Sequence, residues 1–184
     1  MTAKLAKIDK CECCNGNDVG MSVYFFGCNI RCPSFFNQEL WDLNSGKDFC
    51  AEDKKEILEN ISKPYIKRIT WLGGESLLAR NLITILNVSE DIKTLYPDKQ
   101  IWLYTGYKWK DITKLNIPEY TEEDYQNLKQ LLFDYIDVLV TEPFEIDKRD
   151  ITLKWRGSTN QMVIDLKATL NQDNPLNKPI LYCE

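Results

Sequence analysis

Residues 21–37 read MSVYFFGCNIRCPSFFN. The first seven predict a buried strand: short, rich in aromatic and β-branched residues, and closed by Gly27. A loop follows, with Cys28 and Cys32 four positions apart and Phe35 three further on. The same alternation recurs downstream. Residues 66–72 (IKRITWL) predict a second strand, stopped by Gly73 and Gly74, and residues 100–105 (QIWLYT) a third, closed by Gly106. Residues 136–141 (IDVLVT) predict a fourth and 161–165 (QMVID) a fifth. Helical patterns lie between them: residues 51–61, with Ile57, Leu58 and Ile61 in phase; residues 77–96, stopped by Pro97; and a run opening at Thr121 with an acidic first turn.

This β-α-β-α-β-α-β order predicts an α/β fold, a mostly parallel sheet with crossover helices, in a single domain over residues 1–184. Ligands of such sheets bind beyond the carboxyl ends of the strands. The loops GCNIRCPSFFN, GGES, TGYKW and TEPF are therefore expected on one face.

Composition narrows the chemistry. The chain has 184 residues, a formal charge of −5 and no histidine. The absence of histidine excludes a Ser-His-Asp triad, a Cys-His nucleophile pair and a His-ligated zinc site. The mild acidity and lack of a long basic run argue against nucleic acid as the main partner. No apolar run approaches the ~20 residues of a membrane span, and the N-terminal stretch lacks the apolar core of a signal peptide. A cytoplasmic location is expected, where seven cysteines read as thiols or metal ligands rather than a disulfide frame.

Thiolates spaced by three and then two residues in one tight loop can converge on three irons of a cluster, leaving the fourth iron open for a substrate. Cys28 and Cys32 have the first spacing, but Phe35 stands where the third thiolate would be and has no lone pair to offer iron. On this loop alone, two buried thiols in a turn is the simpler reading.

Longer runs shift the balance. GCNIRCPSFFNQELWD resembles the cluster loop of the anaerobic ribonucleotide reductase activating proteins, which are radical S-adenosylmethionine (SAM) enzymes; Phe36 and Asn37 match the aromatic and Asn that follow the third cysteine, so the register sets Phe35 on that cysteine. GGES at 73–76 resembles the family's Gly-Gly-Glu-Pro, with Ser76 in place of Pro. YTGY at 104–107, IDVLVTEPF and WRGSTNQMVID at 155–165 resemble further family segments, in the right order.

The resemblance implies an open, partial (β/α) barrel of radical SAM type. It also implies a 4Fe-4S cluster, SAM as cofactor, and the catalytic subunit of anaerobic ribonucleotide reductase as partner, with flavodoxin or ferredoxin as reductant. The implied reaction is reductive SAM cleavage and glycyl-radical activation of the reductase. Cys28 and Cys32 are the implied metal ligands. Ser34 and Phe36 are placed near the adenine, and Gly73, Gly74 and Glu75 near the amino group of SAM; no protein side chain is assigned as catalytic. Arg156 reads as pairing with a carboxylate of the partner or of SAM, or as a surface arginine.

Could another thiol replace the missing one? NG after Cys11, Cys13 and Cys14 signals a turn. If residues 8–14 fold back on 21–27, Cys14 lies near Met21, roughly 20 Å from Cys28. Rescue from there is disfavoured; Cys50 stays open, and Cys183 is expected to be irrelevant. Reduced or absent cluster occupancy is expected, because two thiolates hold four irons poorly and the Phe35 ring occupies the space. Three readings remain: an activase with a weakly held cluster, a non-catalytic scaffold that binds reductase or SAM, or a chain altered at position 35, since Phe and Cys codons differ by one base.

Overall fold

The computed structural model describes residues 2–173 and 178–182; Cys183 lies outside them. β1 (Lys4–Glu12), β2 (Gly20–Phe25), β3 (Lys47–Asp48), β4 (Arg68–Gly73), β5 (Gln100–Tyr104), β6 (Val138–Thr141) and β7 (Met162–Asp165) form one seven-stranded sheet in the order β3-β1-β2-β4-β5-β6-β7. The central strands β2, β4, β5 and β6 pair in parallel. β1 pairs antiparallel with both β2 and β3, and β7 antiparallel with β6. Five strands thus run one way and only β1 and β7 oppose them, so the expected mostly parallel α/β sheet is present. The fifth expected strand exists but closes its edge antiparallel.

Strand alternation sorts the side chains. Val23, Phe25, Ile69, Trp71, Ile101 and Leu103 are buried in the main core. Ile57 and Ile61 of α1 (Ala51–Ile61), and Leu82, Ile85 and Ile92 of α2 (Ala79–Leu95), join them there. The intervening residues Tyr24, Leu72 and Tyr104 are only half-buried and face a cleft. Trp102, Val138, Val140 and Val163 make a smaller cluster with Trp155 and Tyr182.

The helix ends follow their sequence signals. α1 starts at Cys50, whose amide donates to Asp53 Oδ2 at 3.0 Å. After the short α3 (Trp109–Thr113), which the sequence reading did not anticipate, α4 (Glu122–Gln130) is capped reciprocally by Thr121 and Asp124. The run from Thr121 does not stay α-helical to Tyr135: residues Leu131–Tyr135 widen into a π turn. α5 (Leu166–Leu170) begins at Asp165. No helix among the described residues is long and apolar enough to cross a membrane.

Candidate functional site

The carboxyl ends of β2, β4, β5 and β6 open into a cleft of about 640 Å³. Each of the four expected loops contributes to it: Cys28, Cys32 and Phe35 after β2, Gly74 and Glu75 after β4, Gly106 after β5, and Glu142 after β6. The cysteine loop is stitched in place through its backbone. Gly27 N donates to Leu40 O at 2.7 Å and Cys28 N to Trp41 O at 3.2 Å, while Gly74 N donates to Phe25 O and Glu75 N to Gly27 O, both at 2.8 Å. Arg80 Nη2 donates to Phe26 O at 2.6 Å, fixing the last residue before the loop.

The double glycine is required by this stitching. A Cβ on Gly73 would lie 2.4 Å from Phe25 backbone atoms, and its φ of +128° suits only glycine; a Cβ on Gly74 would lie 2.2 Å from Gly27 O. Both glycines line the cleft as bare backbone.

Glu75 is buried, and its carboxylate braces two loops. Oε1 accepts from Leu77 N (2.8 Å) and Thr105 Oγ1 (2.7 Å), and Oε2 accepts from Gly106 N (2.8 Å). Burial pushes its carboxyl up to about 7, against the pull of these three hydrogen bonds. Burial likewise raises the thiols of Cys28 and Cys32. Arg31 N donates to Cys28 Sγ at 3.4 Å, which favours a thiolate there.

Phe35 points its ring at the same cleft as the two thiols. Its centroid is 4.8 Å from that of Phe36 and 6.1 Å from that of Phe144. Phe36 lines the cleft and is 90% exposed. Ser34 is exposed in a left-handed conformation (φ 59°) and is not among the cleft-lining residues. Arg156 folds onto its own loop, with Nη1 donating to Gln161 O at 3.3 Å.

The 4Fe-4S single cluster domain family matches residues 14–164. The anaerobic ribonucleoside-triphosphate reductase-activating protein of Vibrio cholerae is 33% identical over 151 residues, covering 81% of this chain and 89% of that one. The protein of the same name from enterobacteria phage T4 is 31% identical over 155 residues (84% and 89%), and that of Escherichia coli K12 is 33% identical over 155 residues (83% and 92%). The chain belongs to the anaerobic ribonucleoside-triphosphate reductase-activating protein family.

The donor set of this activating-protein chain does not fit a cluster anchored by three thiolates. Cys28 and Cys32 offer two, and Phe35, at the spacing of a third, lines the same cleft with a ring that has no lone pair for iron. No three Cys, Asp or Glu residues among those described converge to hold a metal ion. The other thiols are elsewhere. Cys11, Cys13 and Cys14 sit where β1 turns into β2, with Glu12 opposite Gly20. From Gly20 to Phe25 alone is roughly 17 Å of strand, so the hairpin expected from NG keeps them away from the loop. Cys50 is exposed at the cap of α1, its Sγ donating to Asp53 Oδ2 at 3.1 Å, and does not line the cleft.

Among the cleft residues not singled out from sequence are Glu142 and Phe144, both in TEPF. Glu142 holds φ at +78°, rare for a side-chain-bearing residue, while its amide donates to Tyr107 O at 3.1 Å. The signal available was the Glu-Pro pair directly after a buried strand.

Proposed function

We propose that this chain is an activating protein for an anaerobic ribonucleotide reductase, built on an open radical SAM-type partial barrel and working in the cytoplasm. In this reading the cleft would hold SAM beside a 4Fe-4S cluster, which would supply the chemistry of reductive SAM cleavage and glycyl-radical formation on the reductase. A flavodoxin or ferredoxin supplies the electron. Cys28 and Cys32 are two of the cluster ligands; Phe36 flanks the adenine, with Ser34 two positions before it in the loop but outside the cleft lining; the bare backbone of Gly73 and Gly74, with Glu75 behind it, faces the amino end of SAM. The supporting observation is that Cys28, Cys32, position 35 and Gly74 line one cleft, in a chain of this family. Glu75 acts here as a brace, holding the glycine loop and the Thr105–Gly106 turn at fixed separation.

As written, the chain is impaired in this reaction, because a ring stands where the third sulfur belongs. The same ring favours a second reading, a scaffold that binds the reductase or SAM without radical chemistry. Anaerobic reconstitution with iron and sulfide separates them. The parent chain is expected to retain far less than a full cluster, while Phe35→Cys gains about four irons per chain and, once reduced, releases 5′-deoxyadenosine from SAM. A parent that loads fully overturns the impairment. A Phe35→Cys variant that binds no more iron than the parent overturns the assignment of the loop.

A further inference from the structure

Three thiols take no part in the cleft. Cys11, Cys13 and Cys14 are all exposed, where β1 runs into the turn before β2. The residue between the first two points the other way. The side chain of Glu12 is 11% exposed, and its carboxylate is the hub of the turn. Oε2 accepts from Cys14 N at 2.6 Å and Asn15 N at 2.9 Å, and Oε1 accepts from Arg68 Nη1 at 2.6 Å and Ser22 Oγ at 2.8 Å. With Glu12 turned inward, strand alternation turns Cys11 and Cys13 outward together.

Two thiols at that spacing lie at the edge of disulfide reach. Two strand steps separate their Cα atoms by about 6.6 Å at full extension, and disulfides span up to about 6.8 Å. β1 ends at Glu12 and the chain bends from Cys13 onward, which shortens the gap. Cys13 and Cys14, as direct neighbours, could join only by distorting the planar peptide bond between them. A bridge from Cys11 to Cys13 draws their Cβ atoms to roughly 3.8 Å, which puckers the backbone at Glu12. That pucker bears on the cleft. Asn15, whose amide Glu12 holds, donates through Nδ2 to Ser22 Oγ at 3.2 Å and to Tyr24 Oη at 3.0 Å, and both Asn15 and Tyr24 line the cleft.

We infer that Cys11 and Cys13 form a redox-responsive dithiol, closed to an intrachain disulfide by oxidised glutathione, and that closure loosens the Glu12 hub and the Asn15–Tyr24 wall of the cleft. One thiolate attacks the glutathione disulfide and releases one glutathione. The second thiolate then displaces the other, so the protein sulfurs are oxidised, glutathione is reduced, and the two thiol protons end on the released glutathiones. In a reducing compartment the pair stays open. The site needs neither iron nor SAM and stands apart from the reading of the cleft.

The test takes the full chain, metal-free and reduced, through glutathione buffers of rising oxidised fraction at low protein concentration. Alkylation is expected to fall by about two thiols per chain, and tandem mass spectrometry of the tryptic peptide 11–31 places the bridge between Cys11 and Cys13. Cys11→Ser and Cys13→Ser each abolish it, while Cys14→Ser keeps it. In the oxidised chain the Cys14 and Asn15 amides exchange hydrogen about tenfold faster than in the reduced one; Cys13→Ser shows no such change. A lasting mixed disulfide with glutathione, a disulfide-linked dimer, a bridge that survives Cys11→Ser or one lost in Cys14→Ser overturns the pair. Unchanged amide exchange on full oxidation overturns its link to the cleft.

Discussion

At position 35 a phenyl ring packs against Phe36 and Phe144 where the proposed cluster loop needs a third thiolate, and no thiol other than Cys28 and Cys32 lines the cleft among the described residues. Glu75 is the second residue whose chemistry is set by its surroundings. Its carboxyl is raised from 4.5 to about 7 by burial, despite three donors that favour the charged form. Between those two values the folded chain binds more protons than the unfolded one, so stability falls as pH rises through that window and the loss is complete above it. The expected size is about 3 kcal/mol. Urea melts of the parent and of Glu75→Gln over this range measure it: the parent's stability declines relative to the variant as pH rises. A constant difference between the two would show that Glu75 titrates normally in the fold.

At the level of elements, the loops after β2 and β4 act as one unit, because Gly74 and Glu75 donate to Phe25 and Gly27 backbone carbonyls. A Cβ on Gly74 meets backbone on two sides, Gly27 O at 2.2 Å and Leu40 O at 2.6 Å. Neither can swing away, so Gly74→Ala is expected to cost about 1–3 kcal/mol. Gly106 provides the contrast. Its Cβ would meet Ile30 Cδ1 at 2.7 Å, the far end of a flexible side chain, and Gly106→Ala is expected to be distinctly milder. Thermal midpoints of the two variants rank them, and equal midpoints would mean the loops are not locked together. The elements themselves were largely legible, since buried strands read as short apolar runs and helices carried their phase and stops. What escaped was what the chain pattern does not encode locally: the two-residue strand β3, the five-residue helices α3 and α5, the antiparallel sense of β7 and the π turn after α4.

Across the whole molecule, a buried ion pair ties the β1–β2 turn to the parallel sheet. Arg68 is fully buried; its Nη1 donates to Glu12 Oε1 at 2.6 Å and to Thr70 Oγ1 at 2.7 Å, and its Nε to Asn17 O at 2.7 Å. Burial pushes Glu12 up, but hydrogen bonds from Arg68, Ser22 and the Asn15 and Cys14 amides overcome this and hold its carboxyl below the ordinary value. Glu12→Gln leaves a buried guanidinium without its counter-charge, and a loss of about 3–5 kcal/mol is expected in denaturant midpoints. A loss below about 1 kcal/mol would show that water reaches the pair. The sequence by itself determined most of the strands and helices, which loops line the cleft, the kinship of the chain and the phenylalanine at the spacing of a third thiolate, because periodicity, turn residues and residue spacing are local properties. Only the tertiary structure decided that Phe144 joins Phe35, that Glu142 faces the cleft and that Glu75 braces two loops. Those meetings depend on strand order and on burial, which bring together residues thirty or more positions apart.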